Sequence, residues 1–462
     1  MYRYLLMGAL LLPLFLAAAE PEGSDNSFLR EMMPELRNRT FRGARVIRRG
    51  SGSTGVLLRN GTFRGQLSSP SAGNAGSGRI ELRDIPDPKK VKTLDLRKYD
   101  EVVLDGTLFP ELESLKLGAN VRDLDRLNMP KLKELTLSLR NWPPVERPEP
   151  LKLPADLPAL EKVFISATTA DFDFGTLAGR KLKEVTIAGY DGEDVDFLRD
   201  QPVEKLRIAS GPRLKDLSVL AKMPLKVLEL GRSVRPGDYA FLRELRLEEL
   251  RMVVGSEKFD PNFLEKMPLK KLYLMNSSKF DGGDWTCLEG KPLRELALAG
   301  FRISEKSFAV FGQSSLRSLF LQQVYTPDPR MLFSDISKNE NLQNFYCVNL
   351  FKDDSRAKTP FWTPPWELLS KVKLTSLVLC VYGDLQLHFL RDFSSLRNLK
   401  LIFPRNAGKV DLAPLRELKL ERLFIFGLPD AEAACREAGL TVVPERAFPF
   451  VDLWSVIGFG AF

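Results

Sequence analysis

Along most of this chain, three apolar residues, spaced by three and then two positions, recur about every 22 residues. The phrase reads Leu182-Lys-Glu-Val185-Thr-Ile187, then Val203-Glu-Lys-Leu206-Arg-Ile208, then Leu225-Lys-Val-Leu228-Glu-Leu230. The next three copies begin at Leu247, Leu269 and Leu293. Earlier copies begin at Val91, Leu112, Leu132 and Leu160, and later ones at Leu316, Leu342, Leu374, Leu396 and Leu420. That makes 15 copies, at intervals of 20 to 32 residues. In a strand the last two apolar residues of each phrase point the same way and the residue between them points the other. No copy buries its apolar side alone, but stacked copies cover one another, as in a solenoid. The pattern predicts 15 short parallel strands, in a sheet running roughly 70 Å along its arc at about 4.8 Å per strand.

The rest of each unit is patterned too. An Asp stands nine residues ahead of the phrase at Asp123, Asp173, Asp194, Asp216, Asp238, Asp260, Asp284 and Asp411. A Leu stands five ahead at Leu127, Leu177, Leu198, Leu220, Leu242, Leu264, Leu288 and Leu415. Asp accepts hydrogen bonds from unpaired N–H groups at a helix start. A Leu four residues later lies one turn on, on the inward face. Pro202, Pro224, Pro268 and Pro292 close the segment just before the phrase. Each unit therefore reads as a capped short helix, a turn, a short strand and a return loop. Long intervals mark insertions that should loop out of the coil. One holds Pro143, Pro144, Pro148, Pro150 and Pro154; the longest, Leu350 to Lys373, holds Trp362, Pro364, Pro365 and Trp366.

On this many-fold phrase, residues 91–430 resemble the leucine-rich-repeat family. The resemblance implies an α/β solenoid: a right-handed leucine-rich-repeat coil with a parallel concave β-sheet and short convex helices. It also implies a binding scaffold, the usual role in that family. The family's Asn, three after the last strand Leu, is matched by Asn120 and almost nowhere else. Thr168, Ser233 and Ser277 replace it only in part, so the curvature should be less regular.

The flanks differ from the array. Residues 1–19 look like a secretory signal, with Arg3, an apolar run from Leu5 to Leu16, and Ala17-Ala18-Ala19 before a first mature residue at Glu20. The run is short for a membrane span, and no cysteine follows it to carry a lipid anchor. A secreted, periplasmic or cell-surface protein of the bacterial type is expected, and not an integral membrane protein. Residues 20–90 are Gly/Ser-rich, with nine arginines against Glu31 and Glu35 between Arg30 and Arg64. Within them Leu36-Arg-Asn-Arg-Thr-Phe-Arg-Gly43 returns as Leu58-Arg-Asn-Gly-Thr-Phe-Arg-Gly65, 22 residues on. This segment reads as a solvated basic leader able to touch acidic envelope polymers, or as an N-terminal β cap to the array. After the array, residues 431–462 read as a C-terminal cap and tail. Residues 431–440 look helical, and Phe448 to Phe462 is apolar, with Phe450, Trp454, Ile457 and Phe459. An open solenoid end exposes core and needs such a cap.

Composition narrows the chemistry. The net charge of +8 over 462 residues is too mild to indicate nucleic acid. The single histidine, His388, lies in Leu387-His388-Phe389 and reads as a partly buried helix residue. Cys287, Cys347, Cys380 and Cys435 form no metal-ligand spacing. Cys347 takes the place of an inward strand Leu, whereas Cys380 falls on the outward alternation, so a bond between them would distort the strands. No catalytic residue, metal site or cofactor is expected, and the chain reads as a non-enzyme.

The outward strand residues are the candidate site. Early copies place Asp95, Lys116 and Thr136 there, and middle ones Arg207, Glu229 and Arg251. Later the register carries Tyr273, Phe320, Tyr346 and Phe424, with Gln322 beside Phe320 and Phe426 on the face of Phe424. An exposed aromatic stripe is costly unless something covers it, and aromatics anchor protein and glycan partners. Arg207 and Arg251 extend the patch for an acidic partner. Two readings stand: a protein or glycan ligand, or an internal cover from the Phe448–Phe462 tail or the insertion with Trp362 and Trp366. A structural envelope protein without a specific ligand is the alternative function.

Overall fold

The computed structural model describes residues 45–49, 53–57, 62–63, 78–85, 87–99, 101–139, 148–255, 259–276, 283–352, 364–380, 386–403, 410–428 and 430–440. Each of the 15 phrases forms a strand. These are β5 (Thr93–Asp95), β7 (Ser114–Leu117), β9 (Glu134–Ser138), β10 (Lys162–Ser166), β11 (Glu184–Ala188), β12 (Lys205–Ile208), β13 (Val227–Leu230) and β14 (Glu249–Val254). They continue as β15 (Lys271–Asn276), β16 (Glu295–Ala299), β17 (Ser318–Thr326), β18 (Asn344–Lys352), β19 (Ser376–Cys380), β20 (Asn398–Ile402) and β21 (Arg422–Phe426). Every neighbouring pair is parallel and in register by repeat position, as in Leu206↔Leu228, Leu250↔Leu272 and Leu377↔Leu399. The coil is a right-handed leucine-rich-repeat solenoid.

The cause is the inward row. Leu206, Leu228, Leu250, Leu272 and Leu296 are fully buried, and so are their partners two residues on. Burying one such side chain is worth about 1.5–3 kcal/mol, and each copy supplies several. The Leu of the second pattern is buried in all eight copies that carry it. On the rim, Glu161–Lys183, Glu204–Lys226 and Glu248–Lys270 form exposed ion pairs between successive copies at one register. These mark the register and contribute little to stability.

The convex segments are the short helices expected, mostly of the 3-10 kind. These 3-10 turns have three to six residues, as in Ser218–Lys222 and Leu387–Asp392. An interval near 22 leaves few residues for the convex side, and a 3-10 turn advances about 2.0 Å per residue against 1.5 Å for an α-helix. The α-helices Phe308–Phe311 and Pro329–Ile336 fall where the intervals lengthen to 23 and 26 residues. The capping role of Asp holds in seven of the eight copies. Asp173, Asp194, Asp216, Asp238, Asp260, Asp284 and Asp411 each accept the amide two residues on, at 2.8–3.0 Å. Asp123 instead adopts a left-handed backbone with φ 56° and makes no such bond.

Ser233 bridges to the preceding copy, accepting from the Gly211 amide at 3.1 Å. Ser277, Pro143, Pro144 and Trp362 lie outside the described residues, as do the signal of residues 1–19 and the Phe448–Phe462 tail. At the start, β1 (Arg45–Arg49) and β2 (Ser53–Leu57) form an antiparallel hairpin. Thr62–Phe63 (β3) then joins β2 antiparallel and β5 parallel. A second parallel ladder joins β4 (Arg79–Glu81), β6 (Glu101–Val103) and β8 (Val121–Arg122). At the far end Ala431–Glu437 is helical.

Candidate ligand-binding face

The parallel register threads the outward residues into a continuous row. It runs Asp95, Lys116, Thr136, Phe164, Thr186, Arg207, Glu229 and Arg251 over the first eight array strands. It goes on through Tyr273, Ala297, Phe320, Tyr346, Val378, Lys400 and Phe424. A second outward row lies two residues further along each strand. Its early members are small, as in Ser138, Ser166 and Ala188. Its later members are mostly apolar: Val253, Met275, Ala299, Gln322 and Val348, then Cys380, Ile402 and Phe426.

The two rows make a half-face of ion pairs and a half-face of apolar groups. In the first, Arg207 Nε lies 2.9 Å from Glu229 Oε2. Arg251 Nε lies 2.7 Å from Glu249 and 3.8 Å from Glu229, and its guanidinium sits 4.2 Å above the Tyr273 ring. Both arginines of the candidate site are therefore met by carboxylates of this chain. Arg251 is also the hinge between the halves, ion-paired on one side and on an aromatic ring on the other.

In the second half, Tyr273, Ala297 and Phe320 form a cluster separate from the main core, with Tyr346 against it. Val253, Met275 and Ala299 form another beside it. Phe320 and Tyr346 stack at 4.2 Å between centroids, 15° from parallel. Tyr273 is 1% exposed and Phe320 6%, whereas Phe426 is 53% exposed. Tyr346, Gln322 and Phe424 are half-buried. The Tyr273 hydroxyl donates to Glu295. Burial, and then that carboxylate, push its phenol well above the usual tyrosine range. Burial alone pushes Tyr346 up to about 12. Lys400 lies 4.9 Å above the Phe424 ring.

The candidate residues thus share one face but are not equally accessible. The sequence reading passed over Phe164, Ala297 and Val378, which occupy the same register, and the apolar second row. The signal was present: reading every strand at both outward positions finds them. Trp366 is not over this face. It is buried in the main core against Phe333, Phe345 and Phe389.

Elsewhere the chemistry is sparse. Among the described residues no group of three or more His, Cys, Asp or Glu is placed to hold a metal ion. His388 is exposed, not partly buried, because its 3-10 turn points Leu387 and Leu390 inward instead. Cys347 is inward and Cys380 outward, and all four cysteines are thiols. Burial pushes Cys287 up to about 12, which keeps it protonated and inert near neutral pH.

No protein-family profile matches the sequence, and no curated protein is significantly similar to it. Solved structures are similar in fold. An internalin (inlF) from Listeria monocytogenes is 16% identical, with 68% of this chain and 87% of that one covered, at a TM-score of 0.46. The plant peptide hormone receptor RGFR1, solved with RGF2, is 15% identical over 80% of this chain and 64% of its own, at 0.42. TLR13, solved with ssRNA13, is 16% identical over 80% and 62%, at 0.40. At these scores the assignment of the coil rests on the strand register above. Among the described residues, no helix is long and apolar enough to cross a membrane.

Proposed function

We propose that this chain is an exported, non-catalytic binding scaffold that recognises a protein or glycan through the concave face of its repeat array. The observation that carries this reading is the divergence of the two sides of one strand. Inward positions are held apolar throughout, while outward positions change from ion pairs to aromatic and aliphatic groups at Arg251. Packing of the coil demands the inward residues and leaves the outward ones open to another requirement. Tyr346, Phe424, Phe426 and Gln322 are the contacts within reach; Tyr273 and Phe320 lie deeper, and Arg207 and Arg251 border them. Export is read from the Leu5–Ala19 signal, and the basic leader of residues 20–90 is the contact for acidic envelope polymers.

The test is saturable capture from an envelope fraction, measured beside thermal denaturation. Replacing Phe424 and Phe426 by Ala together should abolish capture with little change in melting, since Phe426 is exposed and Phe424 half-buried. Capture unaltered by that change would remove this site. Uniform self-assembly without saturable capture would favour the structural envelope role. N-terminal sequencing of the native protein should begin at Glu20; an intact Met1 in the cytosol would remove export.

A further inference from the structure

A third outward row lies two residues before the first on each strand, and its charge stops at β16. Over β9 to β12 it alternates as Glu134, Lys162, Glu184 and Lys205, and after Val227 it resumes as Glu249, Lys271 and Glu295. Ion pairs join Lys162 to Glu134 at 3.0 Å, Lys205 to Glu184 at 2.8 Å and Lys271 to Glu295 at 3.2 Å. On the next four strands the same register holds Ser318, Asn344, Ser376 and Asn398, and charge returns only at Arg422 on β21. Asn344 Nδ2 donates to Ser318 Oγ at 2.9 Å, and Asn398 Nδ2 to Ser376 Oγ at 3.2 Å. Beside this ladder, β17 to β19 carry Phe320, Tyr346 and Val378 in the first row and Gln322, Val348 and Cys380 in the second. Three strands thus present three outward rows without a charge. We propose that this strip seats an uncharged glycan, a chain of neutral sugar rings laid across β17 to β19.

The chemistry of the strip selects that class. A charged ligand pressed against it would lose water and find no counter-ion. The bordering charges are engaged: Glu295 by Lys271 and the Tyr273 hydroxyl, and Lys400 over the Phe424 ring at 4.9 Å. The polar groups both donate and accept, as sugar hydroxyls do. Asn344 and Asn398 give an amide N–H to serine and keep the amide oxygen as an acceptor. Among the described residues the Gln322 amide and the Tyr346 hydroxyl have no hydrogen-bond partner, and both residues are half-buried. Between these groups lie the buried Phe320, Val378 and Cys380. The C–H face of a sugar ring packs on such a surface while its hydroxyls reach the amides at the sides. An extended peptide is served less well. Both edges of β17, β18 and β19 are already paired, so it has no open strand edge to join.

The inference rests on the concave face being a binding surface and names the class of its ligand. Isothermal titration calorimetry of the full-length chain tests it, with neutral hexamers of glucose, mannose and N-acetylglucosamine, and hexagalacturonate as the acidic control. At least one neutral hexamer should bind saturably, and the acidic one should not. Tyr346→Phe keeps the ring stacked on Phe320 and removes the hydroxyl; Gln322→Ala removes the amide. Each should weaken the neutral hexamer by about three- to tenfold. Lys162→Ala, in the charged part of the row, should leave its affinity unchanged. Affinity unaltered by both Tyr346→Phe and Gln322→Ala would put the sugar elsewhere and overturn the inference. Binding of hexagalacturonate alone, or of none of the hexamers, would overturn it too. In either case, envelope capture that is lost on replacing Phe424 and Phe426 would keep the broader binding reading; absence of that capture would bring down both.

Discussion

Strands β12 to β14 and β15 to β17 share one inward pattern: Leu206, Leu228 and Leu250 in the first set, Leu272, Leu296 and Leu319 in the second, all fully buried. Their outward residues have nothing in common. The first set carries Arg207, Glu229 and Arg251, tied together by ion pairs, and the second carries Tyr273, Ala297 and Phe320, packed as a separate apolar cluster. In this array the fold is written on one side of the strand, so the other side can vary over short distances without disturbing the coil. Residue type on the inward side is therefore held by the packing of the coil, whereas on the outward side it varies from ion pairs to a separate apolar cluster.

The contrast is broken most severely from within. Leu272→Ala should cost about 2–5 kcal/mol in denaturant unfolding, because the cavity sits between two neighbouring copies. The outward Thr136→Ala should stay within about 0.5 kcal/mol. Comparable losses for the two would mean that inward and outward are not distinct roles. Next comes Phe320→Ala, which removes a buried ring stacked on Tyr346 and should cost about 2 kcal/mol. An unchanged stability would mean that the outward apolar cluster adds nothing to the packing of the sheet.

Smaller is the loss of a cap. Asp216→Ala should cost at most about 1 kcal/mol, since its carboxylate accepts the exposed Ser218 amide. That amide, first among its partners, holds the Asp216 carboxyl below its ordinary 3.8. The cap's contribution is thus complete above 3.8 and is lost as pH falls through the lower folded value. A difference between parent and variant that persists at still lower pH would point to another cause. Smallest of all, Lys226→Ala on the rim should leave melting unchanged at physiological salt.

The coil was legible because its evidence is repeated: one inward phrase in 15 copies, and an Asp at one register in eight. The β4–β6–β8 ladder was not. Its strands, such as Arg79–Glu81 and Val121–Arg122, are two or three residues long and share no phrase. The short convex helices were legible too, but not their 3-10 character, because a cap at Asp suits α and 3-10 turns alike and only the interval length separates them. At the site the aromatic members of the row were legible, while Ala297 and Val378 were not, since neither is conspicuous as a residue type. Burial of Tyr273 depends on the Arg251 guanidinium over its ring and on Glu295 at its hydroxyl, which alternation along one strand does not give.

The central claim is that the outward side of one sheet carries an accessible end and a buried apolar middle. Hydroxyl-radical footprinting of the full-length chain, resolved by residue, tests it most directly. Phe426 should label strongly, with Tyr273 and Phe320 protected nearly as well as the core ring Phe345. Labelling of Tyr273 and Phe320 as strong as that of Phe426 would contradict the account.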